Sequence, residues 1–222
     1  MRKLTGAVFQ SLDGVMQAPG GPEEDPSSGF KHGGWSFHFW DESLEKPFGE
    51  VIEADYDLLL GKRTYDIFAA YWPHNQEMEI GAKFQRINKY VMTHSDQPLE
   101  WEHSHRLSGD TAEAVAELKR SEGRDLLIQG SSTLYAPLLA AGLIDRLILM
   151  IFPVMLGRGK TIFDGSQAAA EALKLTSHSV SDKGVVFLDY RPGGEVPTGS
   201  FATKEPSEDE LKLRETIREG SW

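Results

Sequence analysis

The chain has 222 residues, and 34 acidic against 23 basic side chains leave a formal net charge of −11. That balance argues against a nucleic-acid or anionic-membrane partner, because binding phosphate backbones requires a basic face. Hydrophobic residues at 40% are enough for a packed core, and the lack of cysteine excludes disulfides, thiolate-held metals and thiol nucleophiles.

Leu4 to Gln10 reads as a buried strand that ends at the turn signal Asp13-Gly14. Its apolar run is too short for a signal peptide, and no stretch approaches ~18 apolar residues. A cytoplasmic protein is the expectation. From about Pro19 to Gly34 the chain is dense in Gly, Pro, Ser and acids, too long for a simple connector and suited to a flap. The aromatic run Trp35 to Trp40 follows. Leu44, Phe48, Val51 and Ile52 repeat at helical spacing. Pro47 then sits either in the first turn or inside a helix that starts earlier and bends.

Asp57 to Gly61 predicts a strand, Thr64 to Tyr71 a helix stopping before Pro73, and Lys89 to Thr93 another strand. His103 and His105 fall in a polar stretch read as exposed strand or loop; without a third ligand they predict no metal site. Asp110 to Glu113 has the pattern of a capped helix start, and Gly123 closes that helix. Asp125 to Gln129 predicts a strand, Ser132 to Ala141 a helix with Gly142 just past its end, and Leu147 to Pro153 a central strand. Leu173 to Tyr190 predicts an antiparallel hairpin turning near Asp182-Lys183-Gly184. The fold class is therefore α/β, a mostly parallel sheet covered on both faces with an antiparallel carboxyl-terminal edge. Residues 1–192 form the expected domain; residues 193–222 form a linker and a polar helical tail.

Two strand-to-helix turns offer free backbone amides for an anion. Gly61-Lys62-Arg63-Thr64 adds two cations, and Gly130-Ser131-Ser132-Thr133-Leu134 adds a close backbone approach and three hydroxyls. Either turn alone also fits an ordinary capped helix start. Two in one sheet point toward an extended diphosphate. Thr93-His94-Ser95 is a polar strand end. Asp41, beside the aromatic run, is either a helix cap or a proton donor. Trp35 and Trp40 would stack on a ligand ring or pack in the core, and Gln129 would orient a substrate amide.

Ser11-Leu12-Asp13-Gly14, Leu60 to Tyr65, Gln129 to Leu134, Ala141 to Leu147 and Pro153 to Lys160, in this order, resemble the dihydrofolate-reductase-like superfamily. Within it the sequence is most similar to the branch named for the RibD carboxyl-terminal domain, the reductase of bacterial riboflavin synthesis. The resemblance implies an eight-stranded sheet, a homodimer and NADPH as cofactor. By matched position it puts Lys62 at the adenosine 2′-phosphate, Arg63 and Thr64 at the diphosphate, Gly130 to Leu134 as a second diphosphate cradle, and Thr93 to Ser95 near the adenosine. The implied activity is NADPH-dependent reduction of a pyrimidine- or pterin-like heterocycle, with dihydrofolate reductase as the alternative. Asn88 occupies the place where folate reductases carry an arginine for the folate tail. A non-catalytic nucleotide-binding or structural dimer module is the competing class.

Overall fold

A computed structural model describes residues 1–163 and 170–220. Eight strands form one sheet: β1 (Leu4–Ser11), β2 (Tyr56–Gly61), β3 (Lys89–Met92), β4 (Ser104–Leu107), β5 (Asp125–Gln129), β6 (Arg146–Phe152), β7 (Ala172–Val180) and β8 (Val186–Gly194). Their spatial order is β4-β3-β2-β5-β1-β6-β8-β7. All pairings are parallel except those of β8, which runs antiparallel to β6 and β7.

The central strands bury both faces, so their side chains alternate between two cores. Leu58, Leu60, Leu127, Ile148, Met150 and Phe152 enter one. Leu4, Val8, Leu59, Leu126, Ile128, Leu147 and Leu149 enter the other. Every residue of β2 is buried. Gly6 in β1 lets Tyr135 lie against the strand, since a Cβ there would meet the ring at 2.7 Å.

Among the described residues, five α-helices lie between strands, α1 (Glu42–Glu53), α2 (Lys62–Tyr71), α3 (Glu79–Arg86), α4 (Thr111–Arg120) and α5 (Ser132–Ala140), and α6 (Glu208–Arg218) follows the last strand. Pro47 lies inside α1, which starts early under a cap from Asp41; Leu44 N donates to Asp41 Oδ1 at 3.0 Å. Asp110 caps α4 in the same way, at 2.9 Å to Glu113 N. Helix α2 begins two residues before its predicted start, directly after Gly61. Helix α3, with buried Gly81 and Phe84, was not predicted, while the stretch around His103 and His105, read as exposed strand or loop, forms edge strand β4.

Strand β8 continues to Gly194, past the expected domain end at 192. Beyond it, α6 exposes Leu211, Leu213 and Ile217, each about half accessible. The last two residues of the tail, 221 and 222, lie outside the described ones. Among the described residues no helix is long and apolar enough to cross a membrane, and no group of three or more acidic or histidine side chains is placed to hold a metal. His105 Nε2 instead lies 3.0 Å from Asn88 Oδ1, and its ring stacks on Tyr90.

Candidate active site

Strands β2 and β5 are neighbours in the sheet and both end at a helix start. This places the two predicted anion turns side by side, and each holds the other. Gly61 N donates to Ser131 Oγ at 2.9 Å, and Ser131 N donates to Thr64 Oγ1 at 3.0 Å. Gly130 (φ +70°) and Ser131 (φ +56°) are consecutive left-handed residues, a conformation that costs a residue with a side chain about 1–2 kcal/mol. Ser131 occupies the cap position of α5, yet its hydroxyl is committed to Gly61. Neither α2 nor α5 therefore receives a side-chain cap. Their first amides and their dipole ends are left for a ligand.

Both helix starts line one cavity of about 790 Å³. Gly61 to Thr64 and Gln129 to Leu134 form one wall, with Thr93, His94 and Thr111 beside them. Lys62 Nζ is held by Asp66 at 2.7 and 2.8 Å, while Arg63 Nη1 reaches Ser27 Oγ at 3.3 Å. One oxygen of Gln129, Oε1, is buried without a hydrogen-bond partner. A buried polar atom left unpaired is costly.

The long loop supplies a second wall through Pro19, Gly20, Glu24 and Asp25, joined by Lys160. Gln17 Nε2 bonds the carbonyls of Asp25 and Ser27, each at 3.0 Å, and fixes the loop against the sheet. Burial opposes ionisation of Asp25, but hydrogen bonds from Lys160 and Ser27 outweigh it and hold the carboxyl below its ordinary range. Glu24 has no such cation. Burial pushes its carboxyl up, although Glu24 Oε2 accepts from Gly20 N at 2.6 Å and Gly21 N at 3.2 Å. The third wall is apolar: Phe9, Trp40, Phe48, Phe68, Trp72 and Ile80.

Several singled-out residues lie elsewhere. Asp41 does not line the cavity. Its carboxylate caps α1 and accepts from Lys183 N of the β7–β8 turn at 2.9 Å. The Ser43 hydroxyl at 2.6 Å leads the interactions that hold its pKa down, the opposite of what a proton donor near neutrality needs. Trp35 is core rather than wall: its ring nitrogen donates to Gln17 O at 2.8 Å, and the ring meets Phe152 edge-on. Ser95 turns back, its N–H donating to Thr93 Oγ1 at 3.0 Å. Asn88 faces Asp57 and His105, away from the cavity. Sequence reasoning missed Glu24, Lys160 and most of the aromatic wall. Only the acidic run inside a Gly/Pro-rich loop hinted at the first.

The family model described as "RibD C-terminal domain" matches residues 2–187. The uncharacterised protein YyaP of Bacillus subtilis is 26% identical over 141 residues, covering 62% of this chain and 74% of that protein. A putative riboflavin biosynthesis protein from Shewanella sp. PV-4 superposes with a TM-score of 0.60 at 18% identity, covering 87% of this chain and 99% of that one. Dihydrofolate reductase from Enterococcus faecalis, solved with NADP(H), gives 0.53 at 18% identity, covering 86% and 96%.

Proposed function

The chain belongs to the RibD C-terminal domain family, and from that premise we propose that it is an NADPH-dependent reductase of a pyrimidine- or pterin-like heterocycle. The observation that carries this reading is the pair of interlocked, uncapped helix starts facing one cavity. The cradle would suit a diphosphate, because two uncapped helix starts turn their amides and dipole ends toward one cavity. Lys62 would bind the 2′-phosphate, Arg63 and Thr64 one side of the diphosphate, and Gly130 to Leu134 the other. Thr93 and His94 would flank the adenosine, with Ser95 bracing Thr93 from behind.

When bound, NADPH supplies a hydride for an electron-poor carbon of the substrate ring. Gln129, at the end of β5 on the cavity wall, would orient a substrate amide. Glu24, rather than Asp41, holds the proton, at Oε1, since Oε2 is committed to Gly20 and Gly21. The loop from Pro19 excludes water from that side. Dihydrofolate is the weaker alternative, because Asn88 offers its tail carboxylate nothing in the cavity. The resemblance also carries a cytoplasmic homodimer, and exposed Leu173, Leu175 and Val180 on edge strand β7 support an interface there.

The test is titration of the chain with NADPH and NADH, read by nicotinamide fluorescence. NADPH is expected to bind more tightly. Lys62→Ala should cost NADPH about 1–3 kcal/mol and NADH much less, the worth of one charge-assisted contact. Equal losses would remove Lys62 from the 2′-phosphate. Binding without turnover on any heterocycle would leave a nucleotide-binding module.

A further inference from the structure

Glu24 and Asp25 are neighbours in the chain with opposite surroundings. The Glu24 carboxyl accepts from Gly20 N and Gly21 N, inside its own turn. The Asp25 carboxylate ties that turn to another segment. Its Oδ1 accepts from Ser27 N at 3.2 Å, and its Oδ2 pairs with the Lys160 ammonium. Lys160 Nζ also donates to Ser27 Oγ at 3.0 Å. Gln17 Nε2 holds the Asp25 carbonyl, so the backbone just after Glu24 is fixed together with its neighbour's side chain.

Lys160 is itself a rigid post. It lies in the connection from β6 to β7, with its N–H donating to Gln17 Oε1 at 3.2 Å and its carbonyl accepting from Met16 N at 2.8 Å. A Cβ on Gly159 before it would meet Val15 Cγ1 at 2.3 Å, so this backbone packs directly on the segment after β1. The Lys160 and Asp25 side chains are 26% and 12% exposed, and water screens such a pair less than an open surface bridge.

Among the described residues, the other charged or titratable side chains on the cavity lining are Asp25, Lys62, Arg63, His94 and Lys160. Burial does most to push the Glu24 carboxyl up, and the Asp25 charge adds to it. Removing the Lys160 charge therefore has two opposite consequences. On an unmoved loop the Glu24 anion loses a nearby cation, and its pKa rises further. On a released loop the carboxyl enters water, and its pKa falls toward the ordinary 4.5.

We propose that Lys160 is a positioning residue: its bond to Asp25 seats the loop so that the Glu24 carboxyl lies on the cavity wall, kept from water. The proton-holding role of Glu24 rests on the reductase reading; the seat rests on the ion pair and its fixed post.

Carbon-13 NMR of the side-chain carboxyls follows Glu24 through a pH titration of the full chain, with Glu24→Gln identifying its resonance. In the native chain Glu24 is expected to titrate above 4.5. Lys160→Met should lower that value by about one pH unit, the sign of release rather than of lost charge. Lys160→Arg, which keeps the cation for Asp25, should preserve it. Lys160→Gln is the second neutral variant, and thermal melts verify that each chain is folded. A Glu24 pKa unchanged or raised in the folded neutral variants, or a native value at 4.5, would overturn the proposal. NADPH is titrated into the same samples. A lowered Glu24 pKa without NADPH binding to the native chain would sink the reductase reading and leave the seat standing; NADPH binding with an unmoved Glu24 would sink the seat alone.

Discussion

Gly130 and Ser131 carry the most constrained backbone at the site, two left-handed residues in succession between β5 and α5. A side chain at Gly130 would be strained by its φ and would press on Thr64. Gly130→Val should therefore abolish NADPH binding and lower the melting temperature by only a few degrees, because the strain is confined to one turn (~1–2 kcal/mol). Titration and a thermal melt of the same sample check both parts. A different residue sets an alkaline pH dependence. Lys89 is fully buried, its ammonium donating to Phe84 O at 2.8 Å and lying 4.3 Å over the Trp101 ring. Burial pushes its pKa down to about 8 from 10.5, against attraction from Glu102 and Asp57. Between those values the unfolded chain binds the proton that the folded chain has lost, so this group's contribution to stability rises with pH. Urea melts at pH 7.5 and 9.5 should show a rise in the native chain that Lys89→Met flattens.

At the scale of elements, α1 is tied to the β7–β8 turn rather than to the cavity. Asp41 accepts from Leu44 N and Lys183 N, Ser43 Oγ accepts from Asp182 N, and Lys183 Nζ donates to Trp40 O. The last bond fixes the backbone of a cavity-wall tryptophan from outside. Asp41→Ala should lower the melting temperature, with the difference from the native chain vanishing in acid. The sign follows from the shift: a carboxyl held below its ordinary pKa stabilises the fold above that value and loses the effect as pH falls through it. NADPH affinity should stay unchanged; a loss of affinity with unchanged melting would return Asp41 to the site. The α2 and α5 starts, in contrast, were visible in sequence as Gly-rich turns after apolar runs. Helix α3 was not, because its apolar pair Ile80 and Phe84 is too brief to stand out between polar residues.

For the whole molecule, the sheet closes at Gly194, where β8 still pairs with Ala172 of β7. Truncation belongs after that residue rather than at 192. Removal of residues 195–222 should leave melting temperature and NADPH affinity nearly unchanged, since trimming an undocked terminus removes no buried surface. A drop of more than about 2 kcal/mol in stability would mean that α6 docks on this subunit or its neighbour.

Sequence alone determined the α/β class, the two glycine-bearing strand-to-helix turns and the antiparallel carboxyl edge. These depend on local signals: apolar runs of strand length, glycine at strand ends, capping patterns and a hairpin turn. Even the split into two cores was implicit in strands apolar on both faces. The tertiary structure alone decided that β2 and β5 are neighbours, and hence that Ser131 caps Gly61 instead of its own helix. It alone put Glu24 and Lys160 on the cavity wall while sending Asp41 to a hairpin and Trp35 to the core. A carboxylate or an indole looks the same in sequence wherever it points. Which partner takes it is set by contacts between segments distant along the chain, such as Lys160 with Asp25 and Lys183 with Asp41, which no local pattern encodes.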